Sequence, residues 1–187
     1  MRPPRALPPQ SDRARSDGGF GRSESDGLLT GVWGAAWWDA GVDPGLPPTD
    51  TAAGICPDPS SNNIAEFYGF RATLRRALGH RPPRIVFELD SLLIVMMMQG
   101  RWGCHRAHLR VLLAECYDLS EALTRAGCEW DIRHIYREYN EVADNLAGLC
   151  LADPAHAHAW RSGWALLEPD ESTNASGSEP SCESTPP

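Results

Sequence analysis

Three short strings carry the residues that could do chemistry. They are SNNIAEF at Ser61–Phe67, FELDS at Phe87–Ser91 and HIYREYNEVADNLA at His134–Ala147. Each places a carboxylate, Glu66, Asp90 or Asp144, where a helix or strand could aim it at a common point. These residues lie 24 and 54 positions apart, so only a fold could gather them. Gathered carboxylates repel one another and push their pKa values upward. Divalent cations relieve that repulsion, and oxygen-only ligands suit a hard ion such as Mg²⁺ or Mn²⁺. Two such ions about 4 Å apart make a site that hydrolyses phosphodiesters.

The elements that must position these groups can be read from periodicity. Gly31–Asp39 is apolar, aromatic and glycine-containing, and reads as a strand. Thr51–Cys56 reads as a second short strand, stopped by Pro57 and Pro59. Ser61 or Asn62 caps a helix to about Leu78, with Ile64, Phe67, Phe70, Leu74 and Leu78 at helical spacing. Arg84–Leu89 is the continuous apolar run of a buried central strand, and Asp90 closes it. Ser91–Gln99 reads as a short helix, and Leu109–Ala126 as a long amphipathic one ended by Gly127. Glu129–Tyr136 alternates as a strand does, and Glu141–Leu151 reads as the last helix. That order specifies a mixed α/β domain with helices packed on a sheet.

Bulk properties narrow the function classes. The chain has 187 residues, of which 42% are hydrophobic, enough for one domain with a core. The longest apolar stretch, Leu92–Met98, is far too short to span a membrane. The N-terminus has no apolar core of the secretory kind. Six cysteines show no C-x-x-C pair, which predicts reduced thiols, an intracellular setting (nuclear or cytoplasmic) and no zinc site built from them. Net charge is −8, and all 17 basic residues are arginine. Five of the carboxylates fall between Glu168 and Glu183, so a local basic surface can coexist with an acidic total. Residues 1–16 and 153–187 are expected to be largely disordered, leaving a domain over 17–152.

On these strings the chain resembles the ribonuclease H type 1 family, in particular its plant-like and retroelement branch. The family's Asn-Asn pair before a helical Glu corresponds to Asn62, Asn63 and Glu66. Its strand-end Asp-Ser corresponds to Asp90 and Ser91. Its final motif corresponds to His134, Arg137-Glu138, Asn140 and Ala143-Asp144. The family's first motif is a strand ending in Asp-Gly. Asp17-Gly18-Gly19 supplies it here, although the preceding SDRARS does not read as a strand. Asp26-Gly27 is the other candidate, but it leaves little room for a hairpin before Gly31.

The resemblance implies a ribonuclease H-like fold, with a mixed sheet of about five strands covered by helices on both faces. It implies endonucleolytic cleavage of the RNA strand of an RNA–DNA hybrid, leaving 5′-phosphate and 3′-hydroxyl ends. Two Mg²⁺ or Mn²⁺ ions would be held by Asp17, Glu66, Asp90 and Asp144, and His134 would carry a proton on the leaving-group side. Asn62, Asn63, Ser91 and Asn140 would meet the nucleic acid. Arg101, Trp102, Arg106 and Arg110 form a basic, aromatic stretch, read either as a solvated loop and helix start or as a phosphate-tracking surface. A monomer acting on the hybrid, away from membranes, is expected. A reading from another class stays open: an inactive ribonuclease H-like binding or scaffold module, since Asp17 has no visible strand.

Overall fold

The computed structural model describes residues 10–57 and 61–161. Its strands are β1 (Asp12–Arg22), β2 (Leu29–Trp38), β3 (Asp50–Ile55), β4 (Arg84–Leu89) and β5 (Glu129–His134). Its helices are α1 (Asn62–His80), α2 (Leu92–Met98), α3 (Ala107–Arg125) and α4 (Glu141–Ala152). The elements expected from periodicity are all present, with ends shifted by about two residues at most. The sheet order is β3-β2-β1-β4-β5. β1, β2 and β3 form an antiparallel meander, and β4 and β5 add in parallel on the other side of β1.

β1 corrects the sequence reading. The segment Asp12–Ser16, expected to be disordered or irregular, is the first half of the central strand. Its side chains alternate as a strand's must. Ala14 and Ser16 are buried, while Arg13 and Arg15 project from the opposite face. Both arginines reach Glu88 on β4, at 3.2 Å and 2.8 Å, and Arg133 on β5 binds the same carboxylate. Glu88 is only 1% exposed. Burial alone would raise its pKa, but the hydrogen bonds from Arg133 and Arg15 outweigh that and hold it below the ordinary value. The carboxylate that binds these arginines lies more than seventy residues away. A local reading therefore sees only a polar stretch.

The sheet is covered on both faces. α1 buries Ile64, Phe67, Phe70 and Leu74 against Ala14, Ala35, Trp37 and Phe87, and α2 and α3 extend this larger core through Ile94, Leu109, Cys116 and Leu123. α4 covers the other face with Ala147 and Cys150 against Val32 and Ala53. Among the described residues no cysteine is in a disulfide, as the spacing predicts, and no helix is long and apolar enough to cross a membrane.

The domain boundary at 152 also needs correction. Asp153 caps a turn of 3-10 helix over Pro154–His156, and His158 pairs with Ala53 on β3. Trp160 is 4% exposed and stacks on Arg76, which also lies over Trp37 and pairs with Asp50 at 3.0 Å. The backbone N–H of Arg161 donates to the same Asp50. The folded unit thus extends beyond residue 152 as far as Arg161. The expectations for residues 1–9 and 162–187 lie outside the described residues. Trp160→Ala should destabilise the domain by about 3–5 kcal/mol, seen as a lower Tm. A variant that melts with the parent would show that this strap adds nothing to the core.

Candidate metal centre

Two backbone approaches assemble the site. Gly18 follows Asp17 on β1, and a Cβ there would lie 2.1 Å from the Glu66 nitrogen and 2.2 Å from the Ala65 carbonyl carbon. The first turns of α1 therefore lie directly on the strand, which brings Glu66 level with Asp17. Gly34 on β2 is the register partner of Asp17, and a Cβ there would lie 2.3 Å from the Ala143 oxygen. α4 thus rests on the other face of the sheet at the same level and carries Asp144 in. Asp90 arrives from the end of β4, next to the pair Ser16↔Leu89.

Carboxylate oxygens of Asp17, Glu66 and Asp90 converge within 4.8 Å of one another. Asp144 lies on the same cleft as Asp17 and helps raise its pKa. The four line one cleft of about 440 Å³ together with Asn62 and Arg137. Asp17 is 7% exposed. Its burial, then the charge of Asp90, then the hydrogen bond with Asp144 push its pKa up to about 7. Burial, followed by the charges of Asp17 and Asp90, holds Glu66 well above the carboxylate range. Burial also raises Asp90, although a hydrogen bond from Asn140 opposes it. Such a set fits a hard divalent cation. Its donors are all oxygens, they converge, and their repulsion asks for positive charge. Asp17, Glu66, Asp90 and Asp144 could hold it.

Asp17, not Asp26, is therefore the carboxylate that joins the cluster. Asp26 lies in the link between β1 and β2, outside the cleft. Asn140 also changes role. It is fully buried, so it is not placed to touch substrate. Its amide nitrogen donates to Asp90 and to the Ser16 carbonyl, each at 3.0 Å, fixing Asp90 against β1. Arg137, part of the final motif, joins the site as well. It lines the cleft and pairs with Asp144. A cation three residues before the buried Asn140, in a segment leading to an acidic helix start, was the available signal.

The remaining expected residues lie around the cleft. Asn62 is at its rim as the first residue of α1, with Asn63 beside it. Ser91 is the N-cap of α2, next to Asp90. His134 ends β5 opposite Leu89, and its exposed ring packs edge-on to Tyr136 with centroids 5.8 Å apart. It does not line the cleft. Arg101 and Trp102 lie in the link between α2 and α3, Arg106 caps α3, and Arg110 is in its first turn. All four are exposed and outside the cleft.

A model of the reverse transcriptase-like family matches residues 51–150. The chain belongs to this reverse transcriptase-like family. The bifunctional protein Rv2228c of Mycobacterium tuberculosis is 28% identical over 145 residues, covering 78% of this chain and 38% of that protein. An uncharacterized protein of Mycobacterium bovis, Mb2253c, matches to the same extent. The chain thus spans less than two fifths of the length of the relatives it matches. Among solved structures, RNase H1 of the archaeon Halobacterium salinarum superposes with a TM-score of 0.63 at 23% identity, covering 75% of this chain and 97% of that one. The N-terminal RNase H domain of Rv2228c gives 0.61 at 23% identity, covering 78% and 96%. LC11-RNase H1 in complex with an RNA/DNA hybrid gives 0.60 at 19% identity, covering 74% and 95%. These superpositions establish the ribonuclease H fold for the chain.

The electrostatics of the cluster set a pH dependence. An unfolded Asp titrates near about 3.9, whereas folded Asp17 titrates near 7. Folded protein keeps a proton that the unfolded chain has lost. The stability this supplies is complete below about pH 4 and is lost as pH rises through about 7. In EDTA, Tm should therefore fall between about pH 5 and 8, a window above that of the depressed Glu88. Asp17→Asn should flatten the slope. Equal slopes for the two proteins would show that Asp17 is not under this repulsion.

Proposed function

We propose that the chain is a metal-dependent ribonuclease that hydrolyses the RNA strand of an RNA–DNA hybrid. The observation that carries this reading is the convergence of Asp17, Glu66 and Asp90 within 4.8 Å, with Asp144 beside them. Family membership agrees with it, as does the hybrid bound by the related LC11-RNase H1. An inactive binding module would be favoured by an incomplete cluster. Here the first carboxylate is present on a well-paired strand, which supports catalysis instead.

Each residue has a physical task in this reading. Asp17, Glu66, Asp90 and Asp144 would hold two divalent ions, Mg²⁺ or Mn²⁺. When bound, such ions supply Lewis acidity toward the phosphoryl oxygens and make water a better nucleophile at neutral pH. Asn140 keeps one Asp90 oxygen turned toward β1, so the carboxylate enters the site in one orientation. Arg137 neutralises Asp144 in the free protein and is close enough to the cleft to meet a phosphate. Asn62, Asn63 and Ser91 offer polar groups at the rim, where a ribose 2′-hydroxyl would distinguish RNA from DNA. His134, exposed at the end of β5, would exchange a proton with the leaving 3′-oxygen. The endonucleolytic mode and the 5′-phosphate and 3′-hydroxyl ends are carried over from the family resemblance.

Asp90→Asn should lower cleavage of a labelled hybrid by about 10²–10³-fold or more while leaving Tm at or above the parent value. A variant that cuts as fast as the parent would remove the site assignment.

The exposed arginines beyond the cleft are proposed to track the phosphate backbone. Replacing Arg101, Arg106 and Arg110 together with Ala should weaken hybrid binding and lower the slope of log affinity against log salt by about two to three. An unchanged slope would place the hybrid on another surface.

A further inference from the structure

A second cluster of ligand-type groups stands at the other end of β1. It lies five residues from Asp17, roughly 16 Å along the strand. Asp12 opens β1, Asp39 follows the end of β2, and His80 is the last residue of α1. One oxygen or nitrogen from each lies within 4.8 Å of the others. Among the described residues this is the one such group besides the catalytic carboxylates.

The buried member is the informative one. Asp12 is 5% exposed. Its Oδ1 accepts a hydrogen bond from the Ala40 N–H at 2.9 Å, which fixes the carboxylate. Its Oδ2 is buried and takes no hydrogen bond, although His80 Nε2 is only 3.3 Å away. A buried carboxylate oxygen without a donor is costly. Asp39 Oδ1 lies 4.0 Å from the same His80 nitrogen and accepts from Trp37 Nε1 at 3.2 Å. Both carboxylates are thus oriented by N–H donors, as the ligands of metal sites commonly are. His80 also stands at a helix C-terminus, the end that favours positive charge. Arg76, whose charge is also felt here, is engaged by Asp50 and stacked between Trp37 and Trp160.

The structure assigns to Asp12, Asp39 and His80 a transition-metal site, suited to a dication such as Zn²⁺ or Co²⁺, that clamps β1, β2 and α1 together. Two carboxylates and an imidazole form a donor set that these ions prefer and Mg²⁺ does not. Donor atoms on a tetrahedral ion at about 2.0–2.1 Å are about 3.4 Å apart. The His80–Asp12 separation already has that value, and half-exposed Asp39 need move little to reach it. Water would complete the coordination.

The test uses the full chain carrying Asp17→Asn and Asp90→Asn, which silences the other cluster. Co²⁺ titration should show one equivalent bound, with the visible spectrum of a nitrogen–oxygen site and no thiolate charge-transfer band. Zn²⁺ in about hundredfold excess over its Kd should raise Tm by several degrees. Adding His80→Gln should weaken binding by at least about tenfold and remove the Tm gain. The same His80→Gln change in the otherwise native chain should leave cleavage in Mg²⁺ unchanged. No binding at millimolar Co²⁺ or Zn²⁺, or binding indifferent to His80→Gln, would overturn the assignment and leave His80 as an ion-pair partner of Asp12 only.

Discussion

Strand β1 occupies the centre of the sheet with one fully buried apolar side chain, Ala14. What fixes it there besides the backbone ladder is Glu88, buried on β4 and held by Arg13, Arg15 and Arg133. Buried ion pairs are weak evidence of net stability, because desolvating the charges offsets most of their attraction. Their sharper effect here is on register. A slip of one residue would turn Arg13 and Arg15 into the α1 core and expose Ala14. It would also turn Asp17 away from α4 and Asp144. The charged ladder on one face of the sheet thereby decides which way the first carboxylate of the site points.

The site itself works against the fold. Three carboxylates converge where α1, β1 and β4 meet; Asp17 is buried and the other two are half-buried. Nothing in their own chemistry favours that meeting. It is enforced by packing: α1 lies against Gly18, α4 lies against Gly34, and Asn140 ties Asp90 to the Ser16 carbonyl. Without a cation, the folded state answers by retaining protons, which is why Asp17 and Glu66 titrate high. Arg137 pairs directly with Asp144, and its charge only partly offsets the rise at Glu66 and Asp90. The repulsion in the cluster is free energy that a bound divalent ion would release, so the geometry that strains the fold is also one that would favour a cation.

How much of this was legible depended on how local its causes are. Helices α1, α3 and α4 and strands β2, β4 and β5 announce themselves through apolar periodicity within a few residues. Glu66, Asp90 and Asp144 could be read because their motifs sit at the ends of such elements. β1 could not, because the residues that make SDRARS a strand are Glu88 and Arg133, far along the chain. The strap ending at Trp160 was missed for the same reason: its partners are Ala53, Asp50 and Arg76 on other elements. Asn140 looks like a polar surface residue in sequence, and only the packing of α4 over β1 shows it buried. Arg137 was visible as part of a motif, yet its partner Asp144 follows seven residues later, across a break from 3-10 to α-helix.

α1 and β1 form one rigid pair that reaches both clusters of ligand-type residues. The helix runs antiparallel to the strand, so Glu66 near its start lies over Gly18 and His80 at its end meets Asp12. Between them, Gly69 leaves room for the helix to sit against Ser16 and the Asp17 carbonyl. Protein interiors are too densely packed for such a pair to flex smoothly. The helix that spans both ends is anchored between them by an apolar face, Phe67, Phe70 and Leu74, that is wholly buried.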